Sequence, residues 1–82
     1  MDEAVERQQI GFSVQTVSFA ADDAFGRGKT HFFYSDLVDG DCQSRPCVLR
    51  KHVIDVVRIL QNKYRMRAVV SRTPRGIVLH RI

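Results

Sequence analysis

The sequence predicts an α+β fold: an antiparallel four-stranded sheet in the order strand, strand, helix, strand, strand, with one amphipathic helix packed on one face. Three observations point to it. A helical apolar period runs from Leu49 to Tyr64. Strand-like apolar stretches stand on both sides of that segment. Near the C-terminus, "RTPRG" supplies the proline and glycine of a tight hairpin turn. Two terminal hairpins and one amphipathic helix then suggest a single helix-on-sheet layer.

Each element has its own reason. Residues 1–9 carry no apolar periodicity and are expected to form a flexible N-terminal arm. Residues 10–82 make the single α+β domain. In "IGFSVQTVSFA", residues 10–20, Ile10, Phe12 and Val14 alternate, and Val17 and Phe19 continue on the other parity. That pattern reads as a strand bent near Gln15 and Thr16. "ADDAFGRG" reads as a loop. "KTHFFYSDLV", residues 29–38, reads as a second, aromatic-rich strand that pairs with the first.

"DGDCQSRP" breaks the pattern. Ser44 suits a helix N-cap, and Pro46 is tolerated in a first turn. Leu49, Val53, Val56, Leu60 and Tyr64 then follow at spacings of four, three, four and four, one apolar stripe of a helix ending near Tyr64. Lys51, Asp55, Arg58, Asn62 and Arg65 fall on the opposite side. Residues 66–71 and 76–82 read as strands of the closing hairpin. Val70 opposite Ile77 and Ala68 opposite Leu79 are expected to form its core face, with Arg67, Val69, Val78 and His80 turned away.

The whole chain has 82 residues and a net charge of +4, but the charge is unevenly spread. Residues 1–41 hold three basic groups against eight acidic ones, and residues 42–82 hold ten basic groups against Asp55 alone. Such asymmetry bears on partners rather than on fold. It suits contact with nucleic acid, or neutralisation of one half by the other within the domain or across a dimer. The N-terminus is acidic, with no apolar run behind a basic cap, and no stretch has the roughly 18 apolar residues of a membrane helix. Two cysteines without such a leader favour a reduced, cytoplasmic setting with free thiols.

Several motifs invite chemistry and do not carry it. Cys42 and Cys47 lack the paired ligands of a zinc site, and His52 stands at the wrong helical phase from Cys47. Asp36, Asp39 and Asp41 lack the alternate-position ligands and closing Glu of a calcium loop. "GRGKT", residues 26–30, has Asp23 where a phosphate loop needs its first glycine, and a strand rather than a helix follows it. No metal or cofactor is expected. Cys47, in a predicted first turn between Arg45 and Arg50, leaves a thiol enzyme as a weak third possibility.

The basic half holds the better candidates. Lys51, Arg58 and Arg65 recur every seven residues, and Arg72 and Arg75 flank the hairpin tip. Backbone recognition needs cations spread along a track, and arginine suits phosphate well. Arg58, Arg65, Arg72 and Arg75 are the leading phosphate contacts. Lys51, Lys63 and Arg67 are secondary ones, and Tyr34 is a candidate base stacker. The sheet face left uncovered by one helix suits base stacking or, more commonly, a homodimer contact. The first expectation is therefore a small, non-catalytic nucleic-acid-binding or regulatory protein, homodimeric and not membrane-bound, with DNA and RNA undistinguished. The alternative is a protein-binding adaptor or inhibitor that docks on a larger protein through its acidic loops or aromatic sheet face.

Overall fold

The computed structural model of the chain describes residues 3–40 and 47–82. The expected roles of Asp41, Cys42, Ser44 and Pro46 lie outside the described residues. The fold is α+β with two helices and an antiparallel three-stranded sheet. In chain order come helix α1 (Glu3–Gly26), strands β1 (His31–Tyr34), β2 (Leu37–Val38) and β3 (Val48–Leu49), a 3₁₀ turn (Arg50–His52), helix α2 (Val53–Tyr64), and strands β4 (Ala68–Thr73) and β5 (Gly76–Arg81). The sheet order is β1-β5-β4, so the last strand is central, and β2 and β3 form a separate parallel pair. The single helix and four-stranded sheet read from the sequence are corrected on both counts.

The largest correction is α1. Residues 10–20 are helical, not a strand, and residues 3–9 belong to the same helix. Ile10, Val14, Val17, Ala21 and Ala24 repeat at spacings of four and three and form its inner stripe, with Ser13 and Ser18 buried beside them. That is a helical period. Phe12 and Phe19 hid it: both project outward, and with Ile10 and Val14 they mimic strand alternation. Small residues on the buried side let α1 approach α2 closely. The buried serine hydroxyls are satisfied, Ser13 donating to the Cys47 carbonyl at 3.5 Å and Ser18 to the Gln15 carbonyl at 3.3 Å.

The "GRGKT" stretch ends this helix. The Gly28 N–H donates to the Phe25 carbonyl and the Lys29 N–H to the Ala24 carbonyl. Gly28 has φ +91°. This is a Schellman cap, whose left-handed position suits glycine because it has no Cβ to clash.

α2 starts later than its sequence suggests. Val48 and Leu49 pair in parallel with Leu37 and Val38 instead of opening the helix, and Cys47 precedes that strand. From Val53 onward the expected stripe holds: Val53, Val56, Leu60 and Tyr64 are buried, joined by Val57. α2 packs beside α1 on one side of the sheet, α2 against β4 and α1 against β1. The α2 stripe meets Val14, Val17 and Ala21 of α1 and Ala68, Val70, Ile77 and Leu79 of the sheet. The Tyr64 hydroxyl donates to Asp22 Oδ1 at 2.7 Å. Burial, reinforced by that carboxylate, pushes the phenol pKa above its ordinary range.

The closing hairpin forms as expected but in a shifted register. Val70 pairs with Leu79, and Ala68 with Arg81. A two-residue shift keeps each side chain on its own face, so Ala68, Val70, Ile77 and Leu79 are buried as expected. Gly76 does more than close the turn: a Cβ there would overlap the Tyr34 carbonyl. Glycine at this position lets the end of β1 lie directly against β5.

Two substitutions test this packing by chemical denaturation. Leu60→Ala should cost about 2–5 kcal/mol through lost burial and a cavity. Gly76→Ala, a change of one methyl at a turn, should cost about 2–4 kcal/mol because backbone must move. A Gly76→Ala protein as stable as the parent would mean that β1 does not dock there.

Candidate nucleic-acid interface

Burying the α2 stripe fixes which residues α2 presents to solvent. Ile54, Asp55, Arg58, Ile59 and Asn62 face outward. Beside them runs β4, an edge strand of the sheet. Gln61 bridges the two elements by donating its side-chain N–H to the Val70 carbonyl at 3.1 Å. That bond occupies an edge carbonyl and holds α2 against β4.

A shallow groove follows the seam. Ile54, Val57, Arg58, Gln61 and Arg72 line one part of it. The adjoining part is lined by Arg50, Lys51, Ile54, Arg72, Thr73 and Pro74, among others. Among the described residues neither part has an acidic lining residue. Ile54, 54% exposed, and Arg72 belong to both. Arg75 follows at the hairpin tip, where the Thr73 hydroxyl accepts the N–H groups of Arg75 and Gly76 and fixes the turn.

The seven basic candidates divide into two groups. Arg58, Arg65, Arg72 and Arg75 are exposed, and none of their guanidinium groups has a hydrogen bond or ion pair among the described residues. The other three are engaged. Lys51 Nζ lies 3.1 Å from Glu6 Oε1, Lys63 donates to the Ser18 hydroxyl at 3.2 Å, and Arg67 stacks over the Tyr64 ring and donates to the Lys63 carbonyl. The bond from Lys51 holds the Glu6 carboxyl below its ordinary pKa. Its contribution is present at neutral pH and fades as pH falls through that lowered value.

The expected row of Lys51, Arg58 and Arg65 along one helix face is corrected. Lys51 precedes α2 in the 3₁₀ turn and is drawn to α1, and Arg65 caps the helix beyond its last residue. Only Arg58 sits within the helix. Asp55, on the same exposed side of α2 as Arg58, has no ion pair among the described residues. Tyr34 packs against the core on the helix-covered side. Its neighbour Phe33 is the aromatic on the open face. Three consecutive aromatics gave no sequence signal of which parity faces outward.

Arg65 carries a further signal. Its backbone has φ 36° and ψ −103°, the one positive φ outside glycine among the described residues. This is not the left-handed helical conformation in which glycine commonly closes a helix, and a side chain at such a positive φ is strained. Among the described residues the Arg65 head group makes no hydrogen bond or ion pair that would offset that strain.

The cysteine reading is also corrected. Cys47 is buried and disulfide-bonded, not a free thiol. The chain's other cysteine, Cys42, lies outside the described residues. The free-thiol expectation rested on a reducing compartment and a missing metal-ligand set, and a disulfide gives the cytoplasmic setting no support. Cys47 also enters a strand rather than a helix N-terminus, so it lacks the dipole that would activate a thiolate. His52 is buried, with Nε2 3.7 Å from Glu6 Oε1, while His31 and His80 lie on the far side of the sheet. Among the described residues no three His, Cys, Asp or Glu side chains gather as a metal site, and no helix is long and apolar enough to cross a membrane.

Arg65→Gly should stabilise the protein by roughly 1 kcal/mol by relieving the positive φ, while weakening any binding that uses the guanidinium. Urea denaturation and a binding titration on the same variant check both signs; a loss of stability would show that Arg65 holds the cap. No family model, curated protein or solved structure matches the chain, so a functional reading rests on the geometry above.

Proposed function

We propose that this is a small non-catalytic nucleic-acid-binding protein that holds a phosphate backbone along the α2–β4 groove and the β4–β5 tip. One observation carries the reading: among the described residues Arg58, Arg65, Arg72 and Arg75 have no side-chain partner, and Arg58 and Arg72 share a groove that no described carboxylate lines. Guanidinium groups left unpaired at a concave seam suit bidentate contact with phosphate. Lys51, Lys63 and Arg67 contribute less because intramolecular partners hold them.

The charge asymmetry supports this reading in part. Among the described residues two basic groups of the second half pair with carboxylates of the first, Lys51 with Glu6 and Arg50 with Asp39. Arg58, Arg65, Arg72 and Arg75 belong to the excess that no acid neutralises among the described residues, and unlike Lys63, Arg67 and Arg81 they have no other side-chain hydrogen bond there. They are the source of the salt-dependent affinity that counterion release would produce.

A second reading, a protein-binding module, has its own support in the outer ridge of α1. Val5, Phe12 and Phe19 stand seven residues apart, and the two phenylalanines are 60% and 70% exposed. No charged residue occurs between Arg7 and Asp22. A solvated helix face ordinarily carries charges, so this ridge suits a protein contact, a homodimer included.

Titration of labelled oligonucleotides at several salt concentrations tests the first reading. Changing Arg72 and Arg75 together to alanine should weaken binding to all sequences about equally and reduce the slope of log K against log salt by roughly 0.7–0.9 per lost contact. Folding stability should change by no more than about 0.5 kcal/mol for each. Lys51→Ala should matter less than Arg58→Ala. An unchanged slope in the double variant would leave the basic groove as solvated surface. Sedimentation tests the second reading: if the ridge joins two copies, Phe12→Gln with Phe19→Gln should convert a dimer to a monomer, and a parent protein that is already monomeric removes that use.

A further inference from the structure

We infer that the open face of the sheet takes unpaired bases, so that the ligand is a single strand rather than a duplex. The inference rests on the proposed backbone contacts of the α2–β4 groove and adds the surface that receives the bases.

Both helices pack on one side of the three-stranded sheet, against Phe32, Tyr34, Ala68, Val70, Ile77 and Leu79. Strand alternation turns His31, Phe33, Val69, Ser71, Val78 and His80 to the other side. The register arranges them in two rows across the strands. Phe33, Val78 and Ser71 form one row, and His31, His80 and Val69 the next. Phe33 is 44% exposed. The His31 and His80 rings lie parallel, 4° apart in plane with centroids 6.0 Å apart. The surface is partly aromatic and about 10 Å wide, two strand spacings.

Charge selects the occupant. None of the three strands contains a carboxylate. Arg75 stands at the hairpin tip. Along β4, Arg72 turns to the helix side, into the groove with Arg58. β4 is an edge, so the basic groove and the aromatic face meet along a single strand with no further strand between them. A polyanion held at that edge can lay its bases over Val69, Val78, Phe33 and the histidines. Aromatic side chains stack on any base, which gives affinity without a demand for sequence. A duplex keeps its bases stacked on one another and cannot use such a face.

The chain has no tryptophan, so Phe33→Trp places one fluorophore on the face without a competing signal. Phe12→Trp, on the opposite side of the molecule, is the control. Each is titrated with a mixed-sequence single strand of DNA, the same sequence as RNA, and the DNA duplex. Stacking predicts quenching of the Phe33→Trp emission by both single strands, little quenching by the duplex, and none in the control. Phe33→Ala should weaken single-strand binding roughly 5- to 100-fold with an unchanged salt slope, and Phe33→Tyr should restore it.

The outcomes separate the two claims. Salt-dependent binding indifferent to Phe33→Ala, and equal for duplex and single strand, overturns the base-stacking face and leaves the groove reading intact. An absence of salt-dependent binding overturns both. Emission at position 33 that is blue-shifted and concentration-dependent without oligonucleotide overturns the inference in favour of a second copy on this face.

Discussion

Everything else in the structure depends on burying the apolar stripe of α2. Val53, Val56, Val57, Leu60 and Tyr64 join one core with α1 and the sheet. That burial fixes the rotation of the helix, and with it the direction of every polar residue on α2. Arg58 stands over the edge of β4 because Val57 and Leu60 point inward. Leu60 and Val56 have no solvent exposure, so a turn of the helix about its own axis would expose several side chains worth about 1.5–3 kcal/mol each. The groove is as firmly defined as the core beneath it.

The same constraint sorts the charges. The sequence divides into an acidic and a basic half, and folding brings their boundary together. α1 lays Glu6 beside Lys51 and Ser18 beside Lys63, while Asp39 reaches Arg50. These bridges join elements distant in sequence, but they are exposed or partly exposed and contribute little stability. Their larger effect is selective. They occupy the cations nearest α1 and leave those along β4 and at the hairpin tip free.

The sequence made α2 and the β4–β5 hairpin legible because each is decided locally: one by an uninterrupted 3–4 spacing, the other by turn residues between apolar runs. α1 was not legible, because its inner stripe is built of small and β-branched residues while its two phenylalanines face outward. Apolarity on both sides of a helix erases the contrast on which a periodicity argument depends. Sheet order was equally hidden: β1 pairs with β5, at the other end of the chain, and no local signal marks so distant a partner. The four leading arginines were legible as exposed cations. Their freedom from partners was not, since it depends on where Glu6 and Asp55 come to rest. Phe33 was missed in favour of Tyr34 because parity in "HFFY" is set by the covering helices, not by the strand itself.

The most direct test of the groove is an NMR titration of ¹⁵N-labelled protein with a single-stranded oligonucleotide, following the arginine Nε–Hε signals. Phosphate contact along the α2–β4 seam requires shifts at Arg58 and Arg72, with Arg65 and Arg75 responding as the strand extends. Arg27, paired with Asp23 at the end of α1 and no part of the groove lining, should stay still. Shifts confined to amides of the α1 ridge around Phe12 and Phe19, with the Arg58 and Arg72 signals unmoved, would contradict the groove as the binding surface.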